Sequence, residues 1–184
     1  MIERQASKMS EPISQLLSMT RLDQGVESAN MAAVDLSNLV CETLTGQDFD
    51  STRLTINADK PVWVAGDASL LSVLVKNLVT NAFKYGKPEG HVWVTTAQRG
   101  GEATVSVRDD GIGIPPEQQE KIWQRFYQVD PSRSGVSGGV GLGLAMVRQI
   151  AELHGGHMTL ESVPELGSVF TLHLPASPVE GKNM

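Results

Sequence analysis

The chain has 184 residues, 40% of them apolar, and its 15 Lys and Arg stand against 21 Asp and Glu for a formal charge of −6. That length suits one domain with a sizeable core plus a short extra element, and an acidic balance without a basic block lacks the electrostatic footprint of a duplex-binding protein, so no nucleic-acid partner is expected. Lone Cys41 cannot form an internal disulfide, the start Ile2-Glu3-Arg4-Gln5 lacks a signal-peptide apolar stretch, and the greasiest run, Leu70 to Val75, contains Ser72 and meets Lys76, which together fit a reducing, cytoplasmic setting and no membrane span in this piece.

Residues 2–22 read as an amphipathic helix, because Ala6, Met9, Ile13, Leu16, Leu17 and Thr20 recur at helical steps. Pro12 removes a hydrogen bond and costs about 3 kcal/mol inside a helix, so this one either starts near Ser10-Glu11-Pro12 or kinks there. A lone stripe of this kind needs a cover, which makes the segment a linker or dimer element. A polar connector from Asp23 to Met31 follows.

From Ala32 a compact domain is predicted. A short strand at Val34 to Leu36 leads into a helix from Asn38 to Leu44 with Ser37 as its cap. Two strands, Arg53 to Asn57 and Val62 to Val64, are joined by a turn at Asp59-Lys60-Pro61. Asp67 caps a long helix from Ala68 to Tyr85 that Gly86 ends. His91 to Ala97 and Ala103 to Val107 alternate as a hairpin around Arg99-Gly100-Gly101. A short helix follows Pro115-Pro116, and a Gly/Ser-rich stretch runs from Asp130 to Gly139. A helix from Leu142 to Leu153, closed by Gly155-Gly156, precedes strands at Met158 to Val163 and Ser168 to Leu174, and the tail from Ala176 onward reads as disordered. The expected fold class is α/β (α+β), a two-layer sandwich whose mixed sheet of about five strands carries three or more helices on one face.

Three places carry chemistry. On the long helix Asn77, Asn81, Lys84 and Tyr85 form a stripe beside the apolar face of Leu71, Leu74, Val75, Leu78 and Ala82. The stripe is either the polar border of a packed helix or a place where Asn81 offers a neutral oxygen to Mg²⁺ and Lys84 neutralises phosphate. In Asp109-Asp110-Gly111-Ile-Gly113-Ile114-Pro115 a strand runs into a tight turn. Asp109 could there accept a hydrogen bond from an exocyclic amine, beside glycines that admit a planar ring. Gly138-Gly139-Val-Gly141-Leu142-Gly143-Leu144 opens a helix, where N–H groups and the dipole favour anions. It matches neither the Walker pattern nor the dinucleotide fingerprint.

Taken in order, Asn77-Leu-Val-Thr-Asn81-Ala-Phe-Lys84-Tyr85, Asp109-Asp-Gly-Ile-Gly113, Ile122-Trp-Gln-Arg-Phe126-Tyr127 and Gly139-Val-Gly-Leu-Gly-Leu144 resemble the N box, first glycine box, F box and second glycine box of sensor histidine kinases. Residues 32–175 are similar to their catalytic ATP-binding domain, of the Bergerat type shared with gyrase, heat-shock-90 and mismatch-repair ATPases, and His154-Gly-Gly and Gly167-Ser-Val-Phe170 resemble its closing strands. The resemblance implies Mg²⁺ on Asn81, phosphate contact by Lys84, and Tyr85 beside the adenine. It also implies adenine recognition by Asp109, with Gly111, Gly113 and Ile114 at the base, and a phosphate-side loop at Gly139, Gly141, Leu142, Gly143 and Leu144. A flexible lid would run from Phe126 to Gly138, with Arg133 reaching the γ-phosphate.

In the hydrolytic relatives a glutamate stands four residues before the magnesium asparagine. Here that position is Asn77, and an amide cannot act as a base at neutral pH, which favours phosphoryl transfer over hydrolysis. Residues 1–24 are similar to the end of the second helix of the dimerisation and phosphoacceptor domain, with 25–31 as linker, although Glu11-Pro12 departs from the usual pattern. The helix that carries the family's acceptor histidine is not matched, and His91, His154, His157 and His173 all sit at strand or helix positions of the domain. The expected function is therefore Mg-ATP binding and transfer to a histidine outside this chain. The expected partners are that acceptor domain and a response regulator, in a membrane-anchored homodimeric parent. The alternatives are a nucleotide-binding switch of the same fold without transfer, or an anti-sigma-type serine kinase; a gyrase-type hydrolase fits least.

Overall fold

The computed structural model describes residues 29–129 and 140–177. The helix expected at 2–22, the segment 130–139 with Arg133 and Gly139, and the tail from 178 lie outside the described residues. In chain order the elements are β1 (Ala32–Asp35), α1 (Leu36–Thr45), β2 (Leu54–Asn57), β3 (Trp63–Gly66), α2 (Ala68–Tyr85), β4 (Val92–Arg99), β5 (Glu102–Asp109), α3 (Gly143–Leu153), β6 (His157–Val163) and β7 (Gly167–Pro175). Short 3₁₀ turns stand at Ser51–Arg53, Pro116–Gln118 and Lys121–Trp123.

Five strands form a mixed sheet in the order β2-β4-β5-β7-β6, in which β2 runs parallel to β4 and the other pairs are antiparallel. Alternation decides which face is covered. Val92 and Val94, then Ala103, Val105 and Val107, then Phe170, Leu172 and Leu174 are all buried, in one core with Leu71, Leu74, Leu78 and Val79 of α2 and Met146, Val147 and Ile150 of α3. Each of these side chains other than Ala103 contributes roughly 1.5–3 kcal/mol by leaving water. The β4–β5 hairpin closes on Gly100 and Gly101 with φ of +57° and +87°, the left-handed pair that a two-residue loop requires.

Two local expectations are corrected, and the pairing of two strands is added to the sequence reading. The cap of α1 is Asp35, whose Oδ1 accepts from Ser37 N (3.0 Å) and Asn38 N (3.4 Å). Ser37 lies inside the first turn, its hydroxyl 2.7 Å from both Lys60 O and Thr96 Oγ1. The strands around Asp59-Lys60-Pro61 do not pair with each other: β3 pairs with β1 in a separate two-stranded sheet, and β2 joins β4. The chain is drawn away from a hairpin because Leu36 N donates to Val62 O at 2.8 Å, which seats β3 beside β1. Ala176 and Ser177 are not loose, since Ala176 N donates to Gly101 O and Ser177 N to Trp63 O, both at 2.8 Å.

Candidate functional site

The site begins with α2. Asp67 Oδ1 accepts from Ser69 N (2.9 Å) and Leu70 N (3.1 Å), which satisfies the first orphan donors of the helix. Leu71, Leu74, Val75, Leu78 and Ala82 bury one face, and the Asn77, Asn81, Lys84 and Tyr85 stripe follows its border. Asn77 Nδ2 donates to Val73 O at 2.8 Å. Its Oδ1 faces the start of α3, 3.0 Å from where a Cβ on Gly143 would stand. The absence of a side chain at Gly143 therefore lets α3 begin against α2.

Asp109 ends β5 in register with Ser168 of β7 and is only 6% exposed. Its carboxylate accepts from the backbone N–H groups of Gly111, at 2.8 Å, and of Ser168. Burial pushes this carboxyl above the usual range and the neighbouring charge of Asp110 adds to that, against the pull of those two donors. The following turn is tied on two sides, by Ile112 N to Tyr85 O (3.3 Å) and by Glu165 N to Ile112 O (2.8 Å). Gly113 has φ +66° and lies so close to the Val163 carbonyl that a side chain would overlap it. Glycine is needed there on both counts.

A cavity of about 340 Å³ opens between α2, the end of β5, the turn after it, and β7. Its size suits a nucleoside-sized ligand. Asn81, Tyr85, Asp109, Gly113, Ile114 and Leu144 all line it, from three separate stretches of chain. Among the described residues nothing hydrogen-bonds the Asn81 carboxamide, so its oxygen is available to a ligand. Asn77, Lys84, Gly111, Phe126, Gly141, Leu142 and Gly143 stand outside the lining. Lys84 Nζ is exposed and lies 5.0 Å above the Tyr85 ring, Gly111 packs against Tyr85 O, and Leu142 is buried in a small cluster with Ala145. Phe126 is 63% exposed at φ +65°, and its N–H donates to Gly141 O at 2.9 Å. A wider groove of about 640 Å³ between α1 and α2 contains Lys76 and Glu42 but none of the candidate site residues.

The lining also includes residues to which the motifs assign no site role of their own: Ile112, Pro115 and Ile122, Tyr127, Gln128 and Val129 near the 130–139 segment, and Ser168 and Phe170 on β7. Ser168 Oγ is 2.9 Å from Ser162 Oγ, which accepts from Ile114 N at 2.8 Å, so the far side of the turn is braced by β6 and β7. The alternation of Gly167-Ser168-Val169-Phe170 is the signal that could have found them, since it sets Ser168 and Phe170 on the covered face. No cluster of three or more His, Cys, Asp or Glu able to hold a metal exists among the described residues. A cation here would have to rest on neutral oxygens and bring its counter-charge with a ligand.

Residues 66–178 match the sequence family described as histidine kinase-, DNA gyrase B-, and HSP90-like ATPase. The sensor-like histidine kinase SenX3 of Mycolicibacterium smegmatis is 35% identical over 178 residues, 95% of this chain and 46% of that protein. The sensor histidine kinase RppB of Synechocystis is 37% identical over 180 residues, 95% of this chain and 39% of that protein. The chain thus spans less than half the length of these relatives. Among solved structures, the mycobacterial sensor histidine kinase MprB superposes with a TM-score of 0.66 at 29% identity, over 81% of this chain and 99% of that one. Full-length ShkA in complex with AMPPNP superposes at 0.78 and 24% identity, over 96% of this chain and 37% of that one, a likeness of fold.

Proposed function

The chain belongs to the family of histidine kinase-, DNA gyrase B-, and HSP90-like ATPases, and from that premise we propose that it binds Mg-ATP and donates the γ-phosphoryl group to a histidine on a phosphoacceptor domain outside this chain. The observation that carries the reading is the buried Asp109 carboxylate facing a cavity shared with Asn81 and Leu144. Asp109 accepts from the exocyclic amine of adenine, and guanine presents a carbonyl there instead. Ile112, Ile114, Ile122 and Phe170 give the base apolar walls. Lys84, on the exposed border, reaches phosphate with its long stem. Arg133 and Gly139 are assigned to the phosphates by resemblance alone.

Mg²⁺ fits the residues present, because it prefers oxygen ligands and travels with phosphates, and the free Asn81 oxygen would hold it. When bound it neutralises charge on the transferred group. Asn77 decides the acceptor. Its amide donates to Val73 O and has no basicity with which to activate water. The attacking nitrogen of a neutral imidazole bears no proton, whereas the oxygen of water or of a serine hydroxyl must shed one to a base, so a histidine suits this site better than either.

The chain's own histidines serve the fold. Both nitrogens of buried His154 are bonded, His91 Nε2 meets Thr55 Oγ1 at 2.7 Å, and His157 stacks on His173 with centroids 4.7 Å apart. The parent is read as a membrane-anchored homodimer that passes the phosphoryl group to a response regulator. No helix among the described residues is long and apolar enough to cross a membrane. The test is incubation of the purified chain with γ-labelled ATP, with and without a phosphoacceptor hairpin in trans. Acid-labile label on the hairpin alone is expected. ATP binding without transfer to any such hairpin would leave the nucleotide-switch reading, and label on this chain's own histidines would refute the assignment of the acceptor.

A further inference from the structure

Asp110 follows Asp109 but takes no part in lining the cavity. Its Oδ1 accepts the N–H of His91 at 3.0 Å, at the entrance to β4, and lies against Gly90 so tightly that a side chain at Gly90 would overlap it. The loop between α2 and β4 that presents these two residues is itself clasped. Arg53 donates from Nε to Gly90 O (2.7 Å) and from Nη2 to Lys87 O (3.0 Å), with its guanidinium 5.4 Å above the Phe83 ring. Lys87 Nζ donates to Glu165 O at 3.2 Å, on the hairpin whose Glu165 N–H holds Ile112 O. Asp109 therefore sits at the start of a turn whose far end is held by backbone bonds, and whose near end, where β5 is laddered to Val92 and Ser168, is fastened in addition by the Asp110 carboxylate to the start of β4. Asp109 and Asp110 share a planar peptide, so fastening Asp110 holds that plane, and with the β5 ladder to Val92 and Ser168 holding the other side, the Asp109 side chain is left little freedom of direction. A recognition group must be held within roughly 0.5 Å and 10–20° to work.

We propose that Asp110 is a positioning residue for purine selectivity: by fastening the turn to the start of β4 it aims Asp109 at the exocyclic amine, without touching the nucleotide. The proposal rests on the reading of the cavity as an ATP site.

Calorimetric affinities for ATP and GTP on the parent chain, Asp110→Asn and Asp110→Ala test it. Both substitutions remove the same negative charge, but only asparagine keeps an oxygen acceptor for His91 N–H. Asp110→Ala is expected to weaken ATP about tenfold while GTP changes by no more than about twofold, the scale of one hydrogen bond of recognition. Asp110→Asn is expected to keep the parental ATP-to-GTP ratio, which a general loss of stability would not restore. Should the alanine variant fail to fold, Gly90→Ala displaces the carboxylate from the other side and is expected to lower the same ratio. An Asp110→Ala or Gly90→Ala protein that folds and keeps the parental ratio overturns the proposal, as does an asparagine variant that loses the ratio as fully as alanine. A parent that binds neither nucleotide overturns the ATP-site reading itself, and this inference with it.

Discussion

The backbone N–H of Asp67 donates to Nε2 of His154 at 2.9 Å, across 87 residues of sequence, and so joins the first turn of α2 to the last turn of α3. The other ring nitrogen, Nδ1, lies 2.7 Å from Ile150 O, which can only accept. Nδ1 thus donates and Nε2 accepts. Asp67 also receives the N–H of Asn30 on Oδ2 at 2.8 Å, which places the chain entering the domain at the same junction.

His154→Phe fills the space but leaves the Asp67 N–H without an acceptor in a buried place. The expected cost is about 2 kcal/mol, that of stranding a buried donor. Urea unfolding of the two proteins measures it, and equal midpoints with equal slopes would show that the bond contributes nothing. ATP affinity extrapolated to the fully folded fraction should change little, because His154 lies away from the cavity.

Adenine recognition through Asp109 has a pH signature. Burial, with the charge of Asp110 adding to it, raises this carboxyl above the ordinary 3.8 in the free protein. A donor amine from the ligand favours the ionised form, so affinity is full above the raised value and falls as pH drops through it. For folding alone the sign is opposite: the raised value means the folded state holds this proton more tightly, so its stabilising contribution is present at low pH and is lost as pH rises from 3.8 through the raised value. Adenosine, whose lack of phosphate removes a competing titration, is the ligand to use. Asp109→Asn should weaken it roughly 10- to 100-fold at neutral pH, a charge-assisted bond's worth, and should flatten the acid limb. An unchanged acid limb in the variant would assign the titration to another group.

Much of this was legible because it is local. Asp67 before Ala68, the apolar face of α2 and the Gly100-Gly101 turn each express a preference that acts within a few residues. The choice of Asp35 over Ser37 as cap was not local. Both are competent, and what occupies the Ser37 hydroxyl includes Thr96, 59 residues away. The parallel union of Leu54 with Val92 is of the same kind, since a four-residue strand does not name its neighbour. At the site, Asn81, Tyr85, Asp109, Gly113, Ile114 and Leu144, distant in sequence, line one cavity. Ser168 and Phe170, quoted only as part of a closing strand, receive no site role from the sequence because strand register brings them to the cavity.

Trp123 offers an optical readout. It meets the Phe170 ring edge-on, with centroids 5.8 Å apart, and Phe170 lines the cavity together with Ile122. A base entering against Phe170 alters the surroundings of the indole, so tryptophan emission should shift or quench on ATP addition. Trp123→Phe should abolish the response. Trp93→Phe should preserve it, since Trp93 stands under Arg108 on the other face of the sheet, 4.8 Å from its guanidinium carbon. A response that survives in Trp123→Phe and vanishes in Trp93→Phe would place the moving contact elsewhere.

The Asn81 assignment makes a prediction that separates metal from base binding. Asn81 lines the cavity with a carboxamide that no described residue engages. If its oxygen holds Mg²⁺, Asn81→Ala removes a ligand to the cation and leaves the adenine contacts of Asp109 intact. The parent should therefore bind ATP more tightly with Mg²⁺ than with EDTA, and the variant should lose about tenfold of affinity in Mg²⁺, about 1.4 kcal/mol, while matching the parent in EDTA. Asp109→Asn should show the converse, a loss of similar size under both conditions. Calorimetry of the three proteins in the two buffers reads both effects in one series. An Asn81→Ala protein that weakens equally with and without Mg²⁺ would mean that this asparagine contacts the nucleotide directly, and the metal would then have to rest on Asn77, whose Oδ1 faces the start of α3.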